Sequence, residues 1–369
     1  MFDGKRSSTV VLVLQTPDGR VARSPSDAFG CENPNPKACG QERSPYTSKF
    51  ARDRTTLVSI FLGIDGGGSK TSCVIGDDNS LLGRGTSGGS NVIRVGERQA
   101  RESLGAAVRQ ACAAAKLSPA QIERTCVGIA GGARSEIAAV VRGLLTEFVD
   151  GEIEVVGDMV IAMQAAFHVG PGVIVIAGTG SIAYGRNVKG EVARAGGWGF
   201  AISDEGSGHW IGRSAVAASM RAYDEGRSDG PSVLFESIMK SWGVSTREQA
   251  VVVANGALNA GSAKDFAALL PAVLAAAAAG DGTARAVLRQ AGVELATLAK
   301  IVIGRIFADA AAVHVAVSGG VFSNCEVIQQ VFYDRLCAEC PEVSPRVGVV
   351  DPAMGALNLA RSGPGAREE

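Results

Sequence analysis

A short glycine-rich turn, Gly66-Gly67-Gly68-Ser69, follows the apolar run 57–64 and lies between Asp65 and Lys70. Glycine has no Cβ and tolerates positive φ, so the backbone N–H groups of such a turn can approach an anion closely. Ser69 adds a hydroxyl donor, Lys70 adds a positive charge, and Asp65 could hold Mg²⁺ through water. The turn therefore predicts a phosphate site.

Three more glycine features occur later: Gly178-Thr179-Gly180-Ser181, Gly196-Gly197-Trp198-Gly199 and Gly319-Gly320. Two facing turns with hydroxyl groups can bind the phosphates of one nucleotide from both sides. Gly319-Gly320, before a helix predicted from Ser323, offers a flat backbone surface and a helix N-terminus to the nucleoside. A hairpin explains each turn singly, but together they predict a nucleotide site. The Walker motif G-x-x-x-x-G-K-[ST] is not present. The dinucleotide fingerprint is excluded as well, because the turn at 66–70 leads into a predicted strand and not into a helix.

Phosphoryl transfer needs positioned phosphates, a metal ion and a base that accepts the proton of the attacking hydroxyl. Asp158 is the candidate base, because it follows a predicted strand at 152–156 and begins a predicted helix at 159–167. The alternative is that Asp158 serves only as the N-cap of that helix.

The periodicity predicts an α/β chain with a duplicated architecture. Strand, glycine turn, antiparallel meander and helices occur twice, which is typical of mixed sheets flanked by helices. Strands are predicted at 57–64, 71–76, 81–86, 125–130, 152–156, 173–177, 182–186, 191–194, 313–318 and 346–349. Helices are predicted at 97–115, 135–147, 160–167, 323–339 and 352–361, with a mostly helical stretch from Glu205 to Phe307.

Composition limits the function classes. The chain has 369 residues, 20% of them charged, and a net charge of −1, which disfavours nucleic acid as a partner. No apolar run reaches transmembrane length, so no membrane partner is expected. The eight cysteines are scattered, and the single C-x-x-C, Cys337 and Cys340, is interpreted as free thiols. Without a secretory signal, a cytoplasmic location is expected.

The order of these motifs resembles that of one family. Asp65-Gly-Gly-Gly-Ser-Lys, Gly157-Asp158, Gly178-Thr-Gly-Ser, Gly-Gly-Trp-Gly at 196–199, Asp204-Glu-Gly-Ser and Ser318-Gly-Gly follow one another as in the BadF/BadG/BcrA/BcrD ATPase family. The resemblance covers about residues 58 to 362 and points to the N-acetylglucosamine kinase branch of the actin-like ATPase superfamily. Its most specific part is Gly-Gly-Trp-Gly followed by Asp-Glu-Gly-Ser.

This resemblance implies two actin-like (ribonuclease H-like) domains, each a mixed β-sheet flanked by helices, with a nucleotide cleft between them. The expected divisions are domains at 57–170 and 171–351, the second with a helical insertion, and a C-terminal helix at 352–369. That last helix is expected to pack back toward the first domain. Composition alone, rich in Ser, Pro, Arg, Asn and Asp, predicts that 1–56 is a disordered extension or follows from an upstream start codon, with a small ordered strand at 9–15 as the alternative.

Residue roles are implied in the same way. Asp158 would deprotonate the 6-hydroxyl of the sugar, and Asp65 would hold Mg²⁺ through water. ATP would be bound by Gly66, Gly67, Gly68, Ser69, Lys70, Thr179, Gly180, Ser181, Gly319, Gly320 and Asn324. The sugar would be bound by Asn91, Asp158, Gly197, Trp198, Gly199 and Asp204. Three other interpretations stay open: Trp198 in the core, Asn91 as a turn residue and Glu205 as a helix cap.

The implied reaction is ATP-dependent phosphorylation of N-acetylglucosamine to its 6-phosphate, with ATP and Mg²⁺ as cofactors. Glucosamine and N-acetylmuramate also stay open as acceptors, because the apolar Val92-Ile93 after Asn91 leaves the contacts to the N-acetyl group undefined. A homodimer is expected by resemblance only.

Three rival classes are weaker. An activator ATPase of 2-hydroxyacyl-CoA dehydratases needs cluster-binding cysteines, and Cys126, in an apolar strand, favours core packing. A non-catalytic nucleotide or sugar sensor has no use for Asp158 as a base. ROK-type sugar kinases carry a cysteine-rich zinc motif that is missing here.

Overall fold

The computed structural model describes residues 58–226, 232–256, 265–308 and 312–363. The extension predicted at 1–56 lies outside these described residues. Two five-stranded mixed sheets organise the rest. We call the elements on the first sheet, including the last helix, the first lobe, and those on the second sheet the second lobe.

The first sheet has the strand order β3-β2-β1-β4-β5. β1 pairs antiparallel with β2 and parallel with β4, so it is the central strand and its apolar side chains are buried. Its strands are β1 (Ile60–Gly66), β2 (Lys70–Gly76), β3 (Leu81–Gly88), β4 (Ile122–Ile129) and β5 (Glu152–Gly157). Its first three helices are α1 (Val92–Ala115), α2 (Ser135–Leu145) and α3 (Asp158–Phe167).

The second sheet repeats this arrangement in the order β10-β9-β6-β7-β8. β6 takes the place of β1, with an antiparallel partner in β7 and a parallel partner in β9. Its strands are β6 (Gly172–Ala177), β7 (Ser181–Arg186), β8 (Val192–Gly196), β9 (Val313–Ser318) and β10 (Val343–Val350). The predicted duplication is thereby confirmed.

The helical stretch between β8 and β9 builds the outer layer of the second lobe. It contains α4 (Gly208–Asp224), α5 (Val233–Trp242), α6 (Arg247–Ala254), a 3-10 turn (Phe266–Leu269), α7 (Leu270–Ala278) and α8 (Gly282–Ile306). After β9 come α9 (Gly320–Asn324) and α10 (Glu326–Glu339). In the described part of the chain, no helix is long and apolar enough to cross a membrane.

The last helix, α11 (Pro352–Ser362), leaves the second sheet and packs on the first, against β1 and α3. Two glycines allow this close approach. A Cβ on Gly63 of β1 would lie 2.3 Å from the Leu357 backbone nitrogen, and one on Gly355 would lie 1.9 Å from the Ile161 carbonyl oxygen. The first lobe therefore includes residues from both halves of the sequence.

Several predicted boundaries are wrong by a few residues. α1 has an additional first turn from Val92, which Asn91 caps and which a kink at Gly96, with φ of 76°, separates from the regular helix that begins at 97 as predicted. The helix predicted from Ser323 starts at Gly320 and is interrupted at Cys325. β10 begins at Val343, because it pairs with β9 from that residue onward.

Candidate active site

The first glycine turn joins β1 to β2 as a tight hairpin. The Gly67 N–H donates to the Lys70 carbonyl at 2.9 Å and closes the turn. A Cβ on Gly67 would lie 2.8 Å from that same oxygen. None of the three glycines has positive φ. The turn therefore needs glycine for close backbone approach, and the expectation that positive φ contributes there is wrong.

The second glycine turn, Gly178-Thr179-Gly180, joins β6 to β7 in the same way, with the Gly178 N–H donating to the Gly180 carbonyl at 2.9 Å. The start of α4 supports it, because the Gly208 N–H donates to the Gly178 carbonyl at 2.8 Å. Neither Gly178 nor Gly180 has positive φ.

The fold brings the two turns together. The Ser69 and Thr179 hydroxyl oxygens lie 2.9 Å apart, although 110 residues separate them in the chain. The sequence predicted two facing hydroxyl-bearing turns, and the structure places these two side chains in direct hydrogen-bond contact. Each hydroxyl can exchange that partner for a phosphate oxygen at little cost, because one hydrogen bond replaces another.

Asp158 is the first residue of α3, directly after β5. Gly157 holds the N-cap position, so Asp158 is not the N-cap, although its Oδ1 accepts the Met159 N–H at 2.9 Å. Burial raises the pKa of the Asp158 carboxyl, while that hydrogen bond lowers it in part. A carboxylate that is destabilised by burial and not fixed by a cation is suited to accepting a proton.

Asp65, at the end of β1, interacts electrostatically with Asp158. Burial raises the pKa of Asp65 to about 7, with further increases from the negative charges of Asp158 and Asp351, while Lys70 lowers it. Repulsion of this kind is relieved by a cation, and carboxylate oxygens are ligands that Mg²⁺ prefers. Among the described residues, no group of three or more His, Cys, Asp or Glu is arranged to hold a metal ion directly. Asp65 and Asp158 therefore have the ligand type and the uncompensated negative charge that fit a magnesium ion.

Asp351 was missed by the sequence reasoning. It follows β10 and caps α11 by accepting the Ala353 N–H at 3.2 Å, and it pairs with Arg84 at 2.8 Å. The signal was available: an aspartate before Pro352 at the start of a predicted helix is a typical N-cap followed by proline at the first helical position.

Asn91 lies directly beside the first turn. The N–H groups of Ser90 and Asn91 both donate to the Gly67 carbonyl, at 3.0 and 3.2 Å. The Asn91 Oδ1 accepts the Ile93 N–H at 3.1 Å as the cap of α1. Asn91 is thus a cap residue as well as a neighbour of the first glycine turn.

The loop after β8 presents the Gly-Gly-Trp-Gly motif. Gly197 and Gly199 have φ of 69° and 95°, conformations that favour glycine. Trp198 is 64% exposed, with the Arg194 guanidinium 4.1 Å above its ring. The interpretation of Trp198 as a core residue is therefore wrong, because the ring is a surface feature of this loop.

Asp204 is buried and braces the second turn. Its Oδ1 accepts the Ser181 N–H at 3.4 Å, and a Cβ on Gly180 would lie 2.9 Å from its Oδ2. Burial raises the pKa of Asp204. The interpretation of Glu205 as a helix cap is wrong, since Ser207 caps α4 and Glu205 accepts the Ser203 hydroxyl at 2.8 Å.

Gly319 and Gly320 lie at the end of β9, beside the second turn. Gly319 has φ of 99°, and a Cβ there would lie 2.4 Å from the Ala177 carbonyl oxygen. The Asn324 amide donates to the Gly320 carbonyl at 2.7 Å, so its N–H₂ group is engaged within α9. Lys70 is exposed at the first turn, as Ser69 is.

Two matching α/β lobes, whose central strands each end in a hydroxyl-bearing glycine turn beside aspartates that are buried or half-buried, define the class of actin-like ATP-dependent phosphotransferases. The model of the BadF/BadG/BcrA/BcrD ATPase family matches residues 62–360, and the chain belongs to this family.

Its relatives include kinases of amino sugars. The chain is 31% identical over 304 residues to an N-acetylmuramic acid/N-acetylglucosamine kinase of Clostridium acetobutylicum, covering 82% of this chain and 98% of the relative. It is 28% identical over 314 residues to an N-acetyl-D-glucosamine kinase of Dictyostelium discoideum, covering 82% and 97%. A solved structure of a protein assigned as an N-acetylglucosamine kinase, from Chromobacterium violaceum, is 27% identical, with a TM-score of 0.64 and coverage of 82% and 99%.

Proposed function

We propose that the protein is an ATP-dependent amino-sugar kinase that phosphorylates the 6-hydroxyl of N-acetylglucosamine. One observation carries the proposal: the Ser69 and Thr179 hydroxyls lie 2.9 Å apart, and Ser69 follows β1 at the same edge of the first sheet at which β5 is followed by Asp158, a half-buried carboxyl. The named relatives support the class of acceptor, since both curated ones phosphorylate N-acetylated amino sugars by name.

The proposed reaction moves one phosphoryl group and one proton. The sugar 6-oxygen forms a bond to the γ-phosphorus of ATP, and the bond from that phosphorus to the β–γ bridging oxygen breaks. Asp158 takes the hydroxyl proton. Ser69, Thr179 and the backbone N–H groups of both glycine turns position the phosphates, which supplies most of the catalysis in reactions of this kind.

Magnesium, when bound, neutralises charge on the phosphates. Asp65 would hold it through water, with Asp158 and Asp351 near enough to contribute negative charge. For the sugar, Asn91 and the loop with Gly197, Trp198, Gly199 and Asp204 are the proposed contacts. For the nucleoside, Gly319, Gly320 and Asn324 are the proposed contacts, with Asn324 acting through its side-chain oxygen because its N–H₂ group is engaged.

The test is a coupled ADP-release assay with N-acetylglucosamine, N-acetylmuramate, glucosamine and glucose, and a control without sugar. ³¹P and ¹³C NMR of the product locate the phosphate on the sugar. Sugar-dependent ADP release that is highest with N-acetylglucosamine, with the phosphate on the 6-oxygen, is the expected result. ADP release that no sugar stimulates would rule the proposal out.

The base assignment has its own test. Asp158→Asn should lower kcat by about 10²–10⁴-fold while ATP and sugar affinities change little. Glu136→Gln is the matched control, because Glu136 is an exposed acid in the first turn of α2. Near-normal turnover of Asp158→Asn, or an equal loss in both variants, would show that Asp158 is not the base.

A further inference from the structure

Arg94, near the start of α1, connects the two lobes. Its Nη2 lies 2.5 Å from the Oδ1 of Asp265, which caps the 3-10 turn Phe266–Leu269 of the second lobe. The Arg94 side chain is 25% exposed and that of Asp265 is 38% exposed. Surface pairs of this kind contribute little stability and exchange partners readily.

The Arg94 side chain lies where the two glycine turns meet. A Cβ placed on Gly68 would be 3.0 Å from the Arg94 Cδ and 3.2 Å from the Thr179 Oγ1. The Ser69 hydroxyl contacts Thr179 at 2.9 Å. One small region therefore holds both phosphate-site hydroxyls, the first glycine turn and the stem of an arginine.

The charge of Arg94 acts on two titratable groups of the second lobe. Burial is the main cause of the raised pKa of Asp204, and the Arg94 guanidinium opposes that increase. Burial is also the main cause of the lowered pKa of His209, and Arg94 lowers it further. Arg94 thus faces Asp204, Asp265 and His209 of the second lobe from its place beside the first turn.

An arginine at this place suits a phosphate. The planar guanidinium donates paired hydrogen bonds equally well to a carboxylate and to phosphate oxygens. Positive charge aimed at a transferring phosphoryl group stabilises the charge that spreads over its oxygens in the transition state. In the absence of phosphate, the ion pair with Asp265 would hold the guanidinium of Arg94 close to the two glycine turns.

Building on the proposed kinase function, we propose that Arg94 is a catalytic residue that leaves Asp265 and binds the non-bridging oxygens of the γ-phosphoryl group of ATP. Arg94 donates hydrogen bonds and takes up neither a proton nor a group. The bonds that form and break are those of the proposed reaction. Lys70, the cation that the sequence indicated, is exposed and its charge acts on Asp65.

Four variants test this role. Arg94→Met should lower kcat by about 100-fold, because it removes a charged donor from the phosphoryl group. Arg94→Lys should recover part of that loss, because lysine keeps the positive charge but cannot donate the paired hydrogen bonds of a guanidinium group. Asp265→Asn keeps a capping side chain and should stay within about 3-fold of wild type. Arg101→Met is the matched control: it removes another exposed pair of α1, Arg101 with Glu147 at 3.1 Å, and should leave kcat unchanged.

Binding supplies a readout that needs no sugar. Isothermal titration with MgCl₂ compares ADP with the non-hydrolysable ATP analogue AMPPNP. Arg94→Met should weaken AMPPNP binding by about 10-fold or more and leave ADP binding unchanged, because only AMPPNP carries a γ-phosphoryl group. A merely structural role would change both ligands together or neither.

Three results would overturn the role of Arg94. The first is an unchanged ratio of AMPPNP to ADP affinity in Arg94→Met. The second is an equal loss of kcat in Arg94→Met and Asp265→Asn, which would make the pair a structural link between lobes. The third is a loss with N-acetylmuramate but not with N-acetylglucosamine, which would assign Arg94 to the acceptor's carboxylate. Failure of the kinase function itself would appear differently, as wild-type protein that no sugar stimulates.

Discussion

Replacing Gly355 by alanine is expected to destabilise the fold, although alanine favours helices over glycine. Gly355 lies inside α11, where its missing side chain lets the helix backbone touch α3. A Cβ there would lie 1.9 Å from the Ile161 carbonyl oxygen, 2.7 Å from the Ala165 backbone nitrogen and 3.0 Å from the Ala165 Cβ. All three atoms belong to a rigid helix, so none can rotate away.

The size of the stability loss follows from how far α11 must move away from α3 to make room for the added Cβ. Ordinary contact requires at least 3.4 Å, so α11 must move by roughly 1.5 Å from α3. Overpacking of a core costs about 1–3 kcal/mol, and moving α11 also loosens its buried contacts, while alanine returns about 1 kcal/mol of helix propensity. Because the clash is with backbone atoms, the upper end of the overpacking range applies, about 3 kcal/mol, and subtracting about 1 kcal/mol of helix propensity leaves a net loss of about 2 kcal/mol of folding free energy.

The assay is urea unfolding followed by circular dichroism at 222 nm. With a slope of about 3 kcal/mol/M, the midpoint should fall by roughly 0.7 M. Gly143→Ala is the matched control, because Gly143 is an exposed glycine of α2 with no heavy atom within 4 Å of its added Cβ. That variant should gain about 0.5–1 kcal/mol from propensity alone.

The two substitutions exchange the same residue types, yet Gly355→Ala is expected to lower the free energy of unfolding and Gly143→Ala to raise it. A Gly355→Ala midpoint at or above that of wild type would refute the packing argument, as would a loss of equal size in Gly143→Ala. Agreement would show that close approach at Gly355, and not helix propensity, decides the residue at this position.

Four further outcomes are expected. Thr179→Ala should raise the KM for ATP about 10-fold, because one hydroxyl donor to phosphate is lost. Wild-type kcat should fall on the acid side at a pH above 4, because burial raises the pKa of Asp158 and a base must be ionised. Trp198→Ala should raise the KM for the sugar yet change stability by less than ~1 kcal/mol, because the ring is 64% exposed. Asp65→Asn should raise the melting temperature above pH 7 and not below pH 4, because a folded-state pKa raised from 3.8 to about 7 destabilises the fold progressively between those two values and fully above pH 7.

Steady-state kinetics and thermal unfolding check all four. An unchanged ATP KM in Thr179→Ala, or a flat kcat between pH 8 and pH 4, would contradict the first two. A large loss of stability in Trp198→Ala would return Trp198 to a structural role. A melting temperature of Asp65→Asn at or below that of wild type at pH 8 would contradict the electrostatic argument for Asp65.

Local patterns predicted the skeleton of the fold and the two hydroxyl-bearing glycine turns that the structure brings together. Apolar runs that end in glycine located β1, β6 and β9, and the repeat of this pattern predicted the second sheet. Asp158 could be found because a carboxylate between a strand and a helix is visible in sequence. These features depend on neighbours a few residues away, which is the range over which propensity and periodicity act.

The features that the sequence did not reveal depend on contacts between distant segments. In the sequence, Arg94 is indistinguishable from the other charged residues of its helix, and only the structure shows that Asp265 and Gly68 lie beside it. Asp351 reads as a cap until its charge is seen to act on Asp65. Gly355 reads as a weak point of a helix until α3 lies against it. Such roles are set by tertiary packing, which overrides local propensity.

The return of α11 to β1 has a consequence for biosynthesis. At about 5–20 residues per second, the ribosome delivers α11 roughly 15–60 s after β1 has emerged. Throughout that interval the face of β1 around Phe61 has Ile161 of α3 beside it but lacks the cover of α11, because Ala353, Ala356 and Leu357 are still to be made. The lobe that is translated first is completed last, so the nascent chain carries an open apolar surface for nearly its whole synthesis. That surface is where chaperones would bind the growing chain, and where a truncated product would aggregate.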